Sequence, residues 1–389
     1  MSSPCDDSRM RTHAERLDGL GTTIFAEMTA LAERTGAINL GQGFPDADGP
    51  AEAIEAAVLA LRGGANQYAP LPGVPPLREA VLAHQRERYG LEPEDVLITF
   101  GATEAIASAL LGLCDPGSEV IVCEPYYDSY GACIAVAGAV RRPVTLRPPD
   151  FALDGDELRA AAVASNGRTR VLLLNTPHNP TGRVFTRDEL EAVAEVCIEH
   201  ELVCVSDEVY EHLVFEGEHI PIATLPGMAQ RTLTISSVGK SFSFTGWKIG
   251  WCSGPADLIR SVRTVKQFLT FAGGTPLQHA AAAALRLPPQ HLELLRDELR
   301  ANRDMLAAAI ADAGWRPLIP AGTYFINADV DVEAVAFCAE LPERCGVVAI
   351  PTSVFYDDKS AGATLVRFAF CKRREVIAEA AARLAAAVA

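Results

Sequence analysis

The segment 236–251 contains residue types that could bind an aldehyde covalently and hold a phosphate group. Ser236 and Ser237 lie four and three residues before Lys240, and Lys248 lies eight residues after it. An enclosed primary amine can form an imine with an aldehyde, and nearby hydroxyls and cations can hold a phosphate. Most isolated lysines are solvated surface charges, so the interpretation of Lys240 depends on its surroundings. An aldehyde and a phosphate on one small molecule describe pyridoxal phosphate (PLP).

The elements that must position this lysine are short apolar stretches, which alternate with amphipathic helical stretches. This alternation predicts an α/β fold with a mostly parallel sheet. In open α/β sheets, ligands bind beyond the carboxyl ends of the strands. Each predicted strand is followed by polar or aromatic residues, so we expect these residues to gather at one edge. The predicted strands are 96–100, 120–123, 171–174, 202–205 and 232–235.

Length and composition are typical of a soluble globular protein rather than of a nucleic-acid-binding or membrane protein. The chain has 389 residues, 49% of them hydrophobic and 22% charged, which is ordinary for a soluble protein with a large core and two domains. Its 34 basic and 50 acidic residues give a net charge of −16, which repels nucleic-acid backbones. No apolar span reaches membrane length, and the polar start is unlike a signal peptide.

Cysteine and histidine usage favours a reducing compartment and no metal ion. The ten cysteines include no Cys-x-x-Cys pair, and several lie in apolar strand candidates, where small buried thiols are common. We therefore expect a cytoplasmic protein. His200 and Glu201 begin a stretch that lacks the second histidine of a zinc-binding helix, so no metal site is predicted.

The pattern of elements predicts four parts of the chain. Residues 1–15 are expected to be flexible, and residues 16–45 to pack against a small C-terminal domain. Residues 46–284 are predicted to form the large cofactor-binding domain, and residues 285–389 the small domain, in which an α/β pattern resumes from about Gly314.

From about Gly21 to its end the chain resembles the class I aminotransferases of PLP fold type I. The resemblance is greatest to the kynurenine/glutamine/methionine aminotransferase-like subgroup and its bacterial relatives, including N-succinyldiaminopimelate aminotransferase-like proteins. It implies a large domain with a mostly parallel seven-stranded sheet flanked by helices, and a smaller α/β C-terminal domain. The shared stretches are 39–46, 66–68, 124–128, 175–180, 206–210 and 366–368, together with the lysine segment.

The resemblance implies roles for the residues around the cofactor ring. Lys240 would hold PLP as an imine and, once freed by the substrate, act as the general base. Asp207 would pair with the pyridine nitrogen and keep the ring electron-poor, although an aspartate after a strand is also a common helix cap. Tyr210 and Asn179 would bind the phenolic oxygen of the ring. Tyr126 would stack on the ring face, where an aromatic could equally be core.

The family pattern also implies the phosphate site. Backbone amides of Ala102 and Thr103 would lie at a helix N-terminus, which attracts anions, with the helix expected to begin near Glu104. Ser237 and Lys248 match the hydroxyl and the cation on the phosphate side. Many family members carry arginine at the latter position. Tyr68 matches a tyrosine that reaches the phosphate of the neighbouring subunit, which implies a homodimer with shared active sites.

For the substrate, the resemblance implies that Arg367 grips the α-carboxylate, where a planar fork gives strength and orientation. Asn175 and the backbone at Gly43 would assist. Three aromatic residues are weaker candidates for the side-chain pocket, since each could also be core: Phe25, Tyr127 and Phe271.

The predicted reaction is ping-pong transfer of an amino group from an L-amino acid to a 2-oxo acid. A PLP-dependent β-lyase acting on cysteine S-conjugates could use the same residues, and a PLP-dependent oxidase is a more remote alternative. A PLP-sensing regulator would need a DNA-binding module, and only about twenty residues precede the family-like region. The substrate stays open among glutamine, methionine, aromatic amino acids, kynurenine and N-succinyl-diaminopimelate.

Overall fold

The computed structural model describes residues 13–387. The strands are β1 Ile38–Asn39, β2 Asp95–Phe100, β3 Glu119–Glu124, β4 Val140–Thr145, β5 Thr169–Asn175, β6 Val203–Asp207, β7 Thr232–Ser237, β8 Ile249–Gly254, β9 Arg316–Leu318, β10 Phe325–Asp329, β11 Val347–Val348, β12 Ile350–Pro351 and β13 Leu365–Ala369. The α-helices are α1 Ile24–Thr35, α2 Ala51–Arg62, α3 Pro75–Tyr89, α4 Gly101–Leu113, α5 Asp128–Val136, α6 Gly155–Ala164, α7 Arg187–Glu199, α8 Val238–Ser241, α9 Ala256–Leu269, α10 Thr275–Leu285, α11 Pro289–Asp312, α12 Ala334–Cys345 and α13 Arg374–Ala386.

A seven-stranded sheet forms the centre of the molecule, with the order β2-β8-β7-β6-β5-β3-β4. Only β8 is antiparallel to its neighbours, so the predicted mostly parallel α/β sheet is confirmed. All five predicted strands are present. Two strands of this sheet were not predicted. The first, β4, is an edge strand that carries Arg141 and Arg142, and the second, β8, has glycine at its second and last positions. Neither has the continuous apolar run by which a buried strand is recognised.

The central strands are buried on both faces because alternate side chains enter different cores. Ile121 and Leu172 pack on one face, in the same cluster as residues of α7. Val122 and Leu173 pack on the other face, against α4. Since successive side chains of a strand point to opposite faces, a strand covered on both sides must be apolar at every position. This is why the predicted strands read as uninterrupted apolar runs.

A smaller antiparallel sheet has the order β12-β13-β10-β9. Its β13 pairs with β10, so that Arg367 lies opposite Asn327. The N-terminal strand β1 pairs in parallel with β11, which attaches the start of the chain to its C-terminal part. The division at residues 46 and 285 stays a prediction, and most of the predicted flexible segment 1–15 lies outside the described residues. Between residues 13 and 387, no helix has the length and apolarity required to cross a bilayer.

Candidate active site

The carboxyl ends of three neighbouring parallel strands meet at one cavity. Pairing of β5 with β6 places Asn175 beside Asp207, and pairing of β6 with β7 places Asp207 beside Ile235. The Asn175 side-chain amide donates to the backbone oxygen of Asp207 at 2.9 Å. The cavity has a volume of about 400 Å³, which is within the usual range for a small-molecule site.

Most of the side chains and amides predicted to act in the site line this cavity. They are Phe25, Gly43, Ala102, Thr103, Tyr127, Asn175, Asn179, Asp207, Tyr210, Ser237, Lys240, Lys248 and Arg367. The structure thus brings together residues that are separated by more than three hundred positions in the sequence.

Lys240 lies in the short helix α8, directly after β7. Desolvation by the surrounding protein lowers the pKa of Lys240 to about 8. Its Nζ lies 5.7 Å from the ring centroids of both Tyr210 and Tyr324. A pKa near 8 leaves on the order of a tenth of the amine neutral at pH 7, and only the neutral amine can attack a carbonyl or accept a proton.

Asp207 is a buried carboxylate at the end of β6. Burial raises the pKa of Asp207 to about 6, although two hydrogen bonds oppose this effect. Tyr130 donates its hydroxyl to Oδ2 at 2.5 Å, and the amide of Val209 donates to Oδ1 at 3.3 Å. A buried carboxylate of this kind is stabilised by a cationic partner.

The opposite end of the cavity presents cations and amides suited to an anion. Helix α4 begins at Gly101 rather than near Glu104, so Ala102 and Thr103 lie in its first turn, where backbone N–H groups are unpaired. Lys248 Nζ donates to Thr103 Oγ1 at 3.3 Å. Gly101 has φ +69°, and a Cβ there would lie 3.3 Å from Lys248 Nζ. The glycine therefore lets the cation approach the helix terminus.

Two further features complete this end of the cavity. Ser237 is the residue before α8, and its hydroxyl makes no capping bond to that helix. Lys248 has a left-handed backbone conformation, with φ 54°. Such a conformation costs about 1–3 kcal/mol in a residue other than glycine, and here it directs the ammonium group toward α4.

Arg367 is fully buried in β13 and keeps one donor unpaired. Its Nη1 donates to Asn179 Oδ1 at 3.0 Å, and its Nη2 donates to the Gly41 carbonyl oxygen at 2.9 Å. Its Nε has no hydrogen-bond partner among the described residues. Burial lowers the pKa of Arg367 to about 10, so the side chain stays cationic at neutral pH. A buried guanidinium with a free N–H favours binding of a carboxylate.

Aromatic rings hold this guanidinium in place. Its central carbon lies 4.1 Å from the ring centroid of Phe325, 4.9 Å from that of Phe355 and 5.4 Å from that of Phe25. Contacts of a cation with ring faces are attractive. Because the rings also restrict its rotamers, the group is already oriented before any ligand binds.

The structure places Tyr126, which was predicted to stack on the ring, outside the cavity lining. Its hydroxyl donates to Asp357 Oδ1 at 2.6 Å, and its amide donates to the Phe355 carbonyl oxygen at 2.9 Å. The next residue, Tyr127, precedes α5 and lines the cavity instead. Two adjacent tyrosines point in different directions, and the sequence alone did not indicate which one faces the cavity.

Two other predicted residues also lie outside the cavity of their own chain. The Tyr68 side chain is 78% exposed and that of Phe271 is 43% exposed. Their rings pack edge to face with centroids 5.4 Å apart. The assignment of Phe271 to the side-chain pocket of the same chain is therefore not supported, and neither residue contributes to the cavity described above.

Several residues in the lining of the cavity or directly behind it were not predicted. Tyr130 lies one helical turn after Tyr127 in α5, a spacing that could have suggested a shared face. Tyr324 donates its hydroxyl to the Gly43 carbonyl oxygen at 2.6 Å, and a Cβ on Gly43 would lie 2.3 Å from the Phe325 ring. Aromatic residues beside a short strand are indistinguishable from core residues in a sequence.

The model of the aminotransferase class I and II family matches residues 35–384. The chain belongs to this family. Members of the class I group use PLP, so the predicted family, enzyme class and cofactor are confirmed. The chain is thus a PLP-dependent aminotransferase, and the predicted fold is that of its structural neighbours.

Relatives with similar sequences carry several substrate names. The chain is 51% identical to a probable N-succinyldiaminopimelate aminotransferase of Mycobacterium tuberculosis, over 95% of this chain and 97% of that protein. It is 41% identical to the methionine aminotransferase of Escherichia coli, over 95% and 97%. The solved structure of the M. tuberculosis N-succinyldiaminopimelate aminotransferase superposes with a TM-score of 0.93 at 50% identity, over 96% of this chain and all of that one.

The residues of the cavity fit PLP on three observations of this structure. Asp207 is a buried carboxylate without a cationic partner of its own among residues 13–387, the first turn of α4 and Lys248 form a place for an anion, and Lys240 lies between them with a lowered pKa. These three groups match the pyridine nitrogen, the phosphate and the aldehyde of the cofactor.

Proposed function

We propose that this aminotransferase acts on L-amino acids with large uncharged side chains and passes the amino group to a 2-oxo acid. The observation that carries the proposal is the position of Arg367, a buried guanidinium in the lining of a cavity with aromatic walls. Bound PLP supplies an aldehyde carbon that exchanges the amino group and a ring that accepts electrons from the substrate.

In this proposal Lys240 moves the proton at the reacting carbon. Its Nζ takes the proton from the substrate α-carbon as general base and later returns it as general acid. A pKa of about 8 supports both roles near neutral pH, since neither form of the amine is scarce. The rings of Tyr210 and Tyr324 limit the space around Nζ, which favours proton transfer along one direction.

Asp207 would hold a proton on the pyridine nitrogen of the cofactor through an ionic hydrogen bond. The hydroxyl of Tyr130 and the amide of Val209 orient the carboxylate for this contact. The anion end of the cavity would hold the phosphate through Lys248, Ser237 and the first amides of α4, while Tyr127 would cover the ring.

Arg367 would bind the substrate α-carboxylate, with Asn179 and the Gly41 carbonyl oxygen keeping the guanidinium in position. Asn175 is fixed by its bond to the Asp207 backbone oxygen and could assist at the same end of the substrate. Tyr210 would hydrogen-bond the phenolic oxygen of the ring. The arginine thereby fixes the substrate so that its α-hydrogen faces Lys240.

The preference for an uncharged side chain rests on the walls of the cavity. Phe25, Phe44 and Tyr127 provide aromatic surface. Among residues 13–387, the cationic side chains that line the cavity are Lys240, Lys248 and Arg367. Each of them already has a role toward the cofactor or the α-carboxylate, which leaves none for a second carboxylate of the substrate.

A second candidate donor is N-succinyl-diaminopimelate. It is favoured by the 51% identity to the M. tuberculosis protein that bears this substrate in its name. This donor carries additional carboxylates far from its reacting carbon, so it would need a cation that the lining described above does not provide.

A panel of amino donors tests the proposal. Methionine, phenylalanine, kynurenine, glutamine and N-succinyl-diaminopimelate are each mixed with the PLP-loaded enzyme, and single half-reactions are followed by the loss of cofactor absorbance. We expect kcat/KM to be highest for an uncharged donor. The Arg367→Lys variant should lose roughly 10²-fold with every donor, because a buried hydrogen bond between charged groups is worth about 3 kcal/mol.

The control in this panel is the donor ranking, which Arg367→Lys should preserve because the α-carboxylate is common to all donors. A higher kcat/KM for N-succinyl-diaminopimelate would overturn the preferred substrate class and leave amino-group transfer intact. Pyruvate release from a cysteine S-conjugate without any acceptor would instead identify the β-lyase reaction.

We also propose that the protein is a homodimer in which Tyr68 completes the site of the partner. This is supported by the exposure of its side chain, which lies outside the cavity of its own chain. Tyr68→Ala should lower activity by roughly 10–100-fold, since a hydrogen bond to a charged group is worth about 1.5–3 kcal/mol. A cytoplasmic location is proposed too, because the described cysteines are free thiols.

Mixing two impaired variants tests the shared site. When subunits of Lys240→Ala and Tyr68→Ala are exchanged, half of the dimers are expected to be mixed, and each contains one site with both native side chains. Activity should rise to roughly a quarter of the native value, as statistical exchange of the subunits requires. Activity that stays at the mean of the two separate variants after exchange would contradict the shared site.

A further inference from the structure

A group of nearly buried histidine and glutamate side chains lies beside the active site but outside its lining. It consists of His84 in α3 and of Glu211 and His212, which follow β6 and Tyr210. We call these three residues the His–Glu–His cluster. One donor atom from each residue can be chosen so that all three lie within 4.8 Å of one another.

His84 makes one long hydrogen bond to Glu211, His212 lies beyond hydrogen-bonding distance, and both separations are compatible with ligands of one ion. Nε2 of His84 lies 3.4 Å from Oε2 of Glu211, and Nε2 of His212 lies 3.9 Å from Oε1. The two imidazole rings are perpendicular, with centroids 4.9 Å apart. Neighbouring ligands of a tetrahedral Zn²⁺, each ~2.0–2.1 Å from the metal, are roughly 3.3 Å apart. Small side-chain shifts would therefore close the cluster around an ion.

The second histidine is difficult to explain as part of a hydrogen-bonded network. The His212 side chain is only 3% exposed, yet its separation from Glu211 exceeds hydrogen-bonding distance. A neutral imidazole keeps a lone pair on one ring nitrogen, and histidine binds metals through that nitrogen.

The carboxylate is oriented by hydroxyl groups outside the cluster. Tyr89 donates to Oε2 of Glu211 at 2.8 Å, and Ser236 donates to Oε1 at 2.7 Å. Donors of this kind favour the ionised carboxylate and are typical of the residues that hold metal ligands in place. The His84 side chain is 9% exposed, so the cluster is in contact with solvent at His84.

We propose that the His–Glu–His cluster binds a divalent cation of the Zn²⁺ type. Two imidazoles and one carboxylate suit Zn²⁺, Co²⁺ or Ni²⁺ better than Mg²⁺ or Ca²⁺, which prefer oxygen ligands. The sequence prediction of no metal considered only ligands within one stretch, and it missed a set in which His84 and Glu211 are 127 residues apart. A bound ion would tie α3 to the segment that carries Asp207 and Tyr210.

Metal binding to the PLP-loaded protein tests this proposal. The protein is treated with a chelator, dialysed against a small excess of Zn²⁺ and then against metal-free buffer, and the retained zinc is measured by elemental analysis. We expect about one ion per chain, and at least ~10-fold weaker binding in His212→Gln and in His84→Gln. The matched control is His200→Gln, which alters a histidine outside the cluster.

Co²⁺ provides an independent measurement. Its ligand-field bands report coordination geometry at wavelengths beyond the absorption of PLP, and each variant is first checked for native cofactor absorbance to establish that it folds. Tetrahedral bands that disappear in His84→Gln and His212→Gln support the site. Absence of retained metal, equal retention in these variants and the native chain, or a thiolate charge-transfer band that identifies cysteine ligands would each overturn it.

Discussion

Replacing Lys240 with alanine should lower kcat on the order of 10⁴-fold or more, while PLP still binds. The variant lacks the group proposed to move the proton at the substrate α-carbon, and general acid–base catalysis alone contributes about 10²–10⁴-fold. The residues proposed to hold the phosphate, Lys248, Thr103 and Ser237, and the ring nitrogen, Asp207, are unchanged in this variant. The measurement is a single half-reaction with the best donor, at saturating donor concentration.

Two controls separate this effect from a loss of folding or of binding. Lys359→Ala removes a lysine on the surface and should react at the native rate. Equilibrium dialysis of Lys240→Ala with PLP should show retained, reversible binding, because the residues proposed to contact the phosphate and the ring remain. If Lys240→Ala transferred amino groups within a factor of ten of the native rate, Lys240 could not be the proton carrier.

Replacing Asp207 with asparagine should lower kcat/KM almost as much as the loss of Lys240 lowers kcat. Breaking a buried ion pair costs about 3–5 kcal/mol, which corresponds to a loss of roughly 10²–10⁴-fold in kcat/KM. The neutral amide has nearly the same shape, so the packing of β6 should survive, while its single oxygen can accept from either Tyr130 or Val209 but not from both. Half-reaction rates and the equilibrium constant for PLP binding should both fall.

The pH dependence of PLP binding gives this prediction a second readout. The pKa of Asp207 in the cofactor-free protein is about 6, so below that pH the group gains a proton and offers no charge to the ring nitrogen. Native binding should therefore weaken as pH falls through about 6, and Asp207→Asn should lack this step. Tyr130→Phe, which keeps the carboxylate and removes one hydrogen bond, should lose only about tenfold. Identical pH profiles for the native protein and Asp207→Asn would contradict the assignment.

The central sheet could be predicted because its physical signal is local. A strand covered on both faces needs apolar residues at consecutive positions, and all five such runs are strands. The edge strand β4 could not be recognised, since its exposed side includes arginines, and β8 carries glycines at Gly250 and Gly254 where other backbone passes closely. Antiparallel pairing of β8 depends on contacts between distant residues and leaves no mark in its own sequence.

The site could be predicted to the level of residue position where a motif fixes both the residue type and its neighbours. Lys240, Asp207 and Arg367 come together as expected because they lie at the ends of strands or in a short sheet that faces the cavity. The direction of a side chain in a turn, by contrast, is not fixed by such a motif and could not be predicted. Tyr126 and Tyr127 have the same chemistry and adjacent positions, and only the backbone after β3 decides which one faces the cavity.

The His–Glu–His cluster shows the same limit for residues far apart in the chain. Glu211 and His212 lie in a recognisable stretch, but their partner His84 is on a helix that precedes the central sheet. Neither its spacing nor its surroundings in the sequence relate it to the other two. Such a set can be found only once the packing of α3 against the rest of the protein is known.

Chemical trapping of the cofactor tests most directly whether Lys240 forms the covalent bond to PLP. The PLP-loaded enzyme is reduced with borohydride, digested, and the modified peptide is identified by mass spectrometry. We expect a single stoichiometric adduct on the side-chain nitrogen of Lys240, with none on the nearby Lys248. An adduct on another lysine, or a protein saturated with PLP that yields no adduct at all, would contradict this expectation.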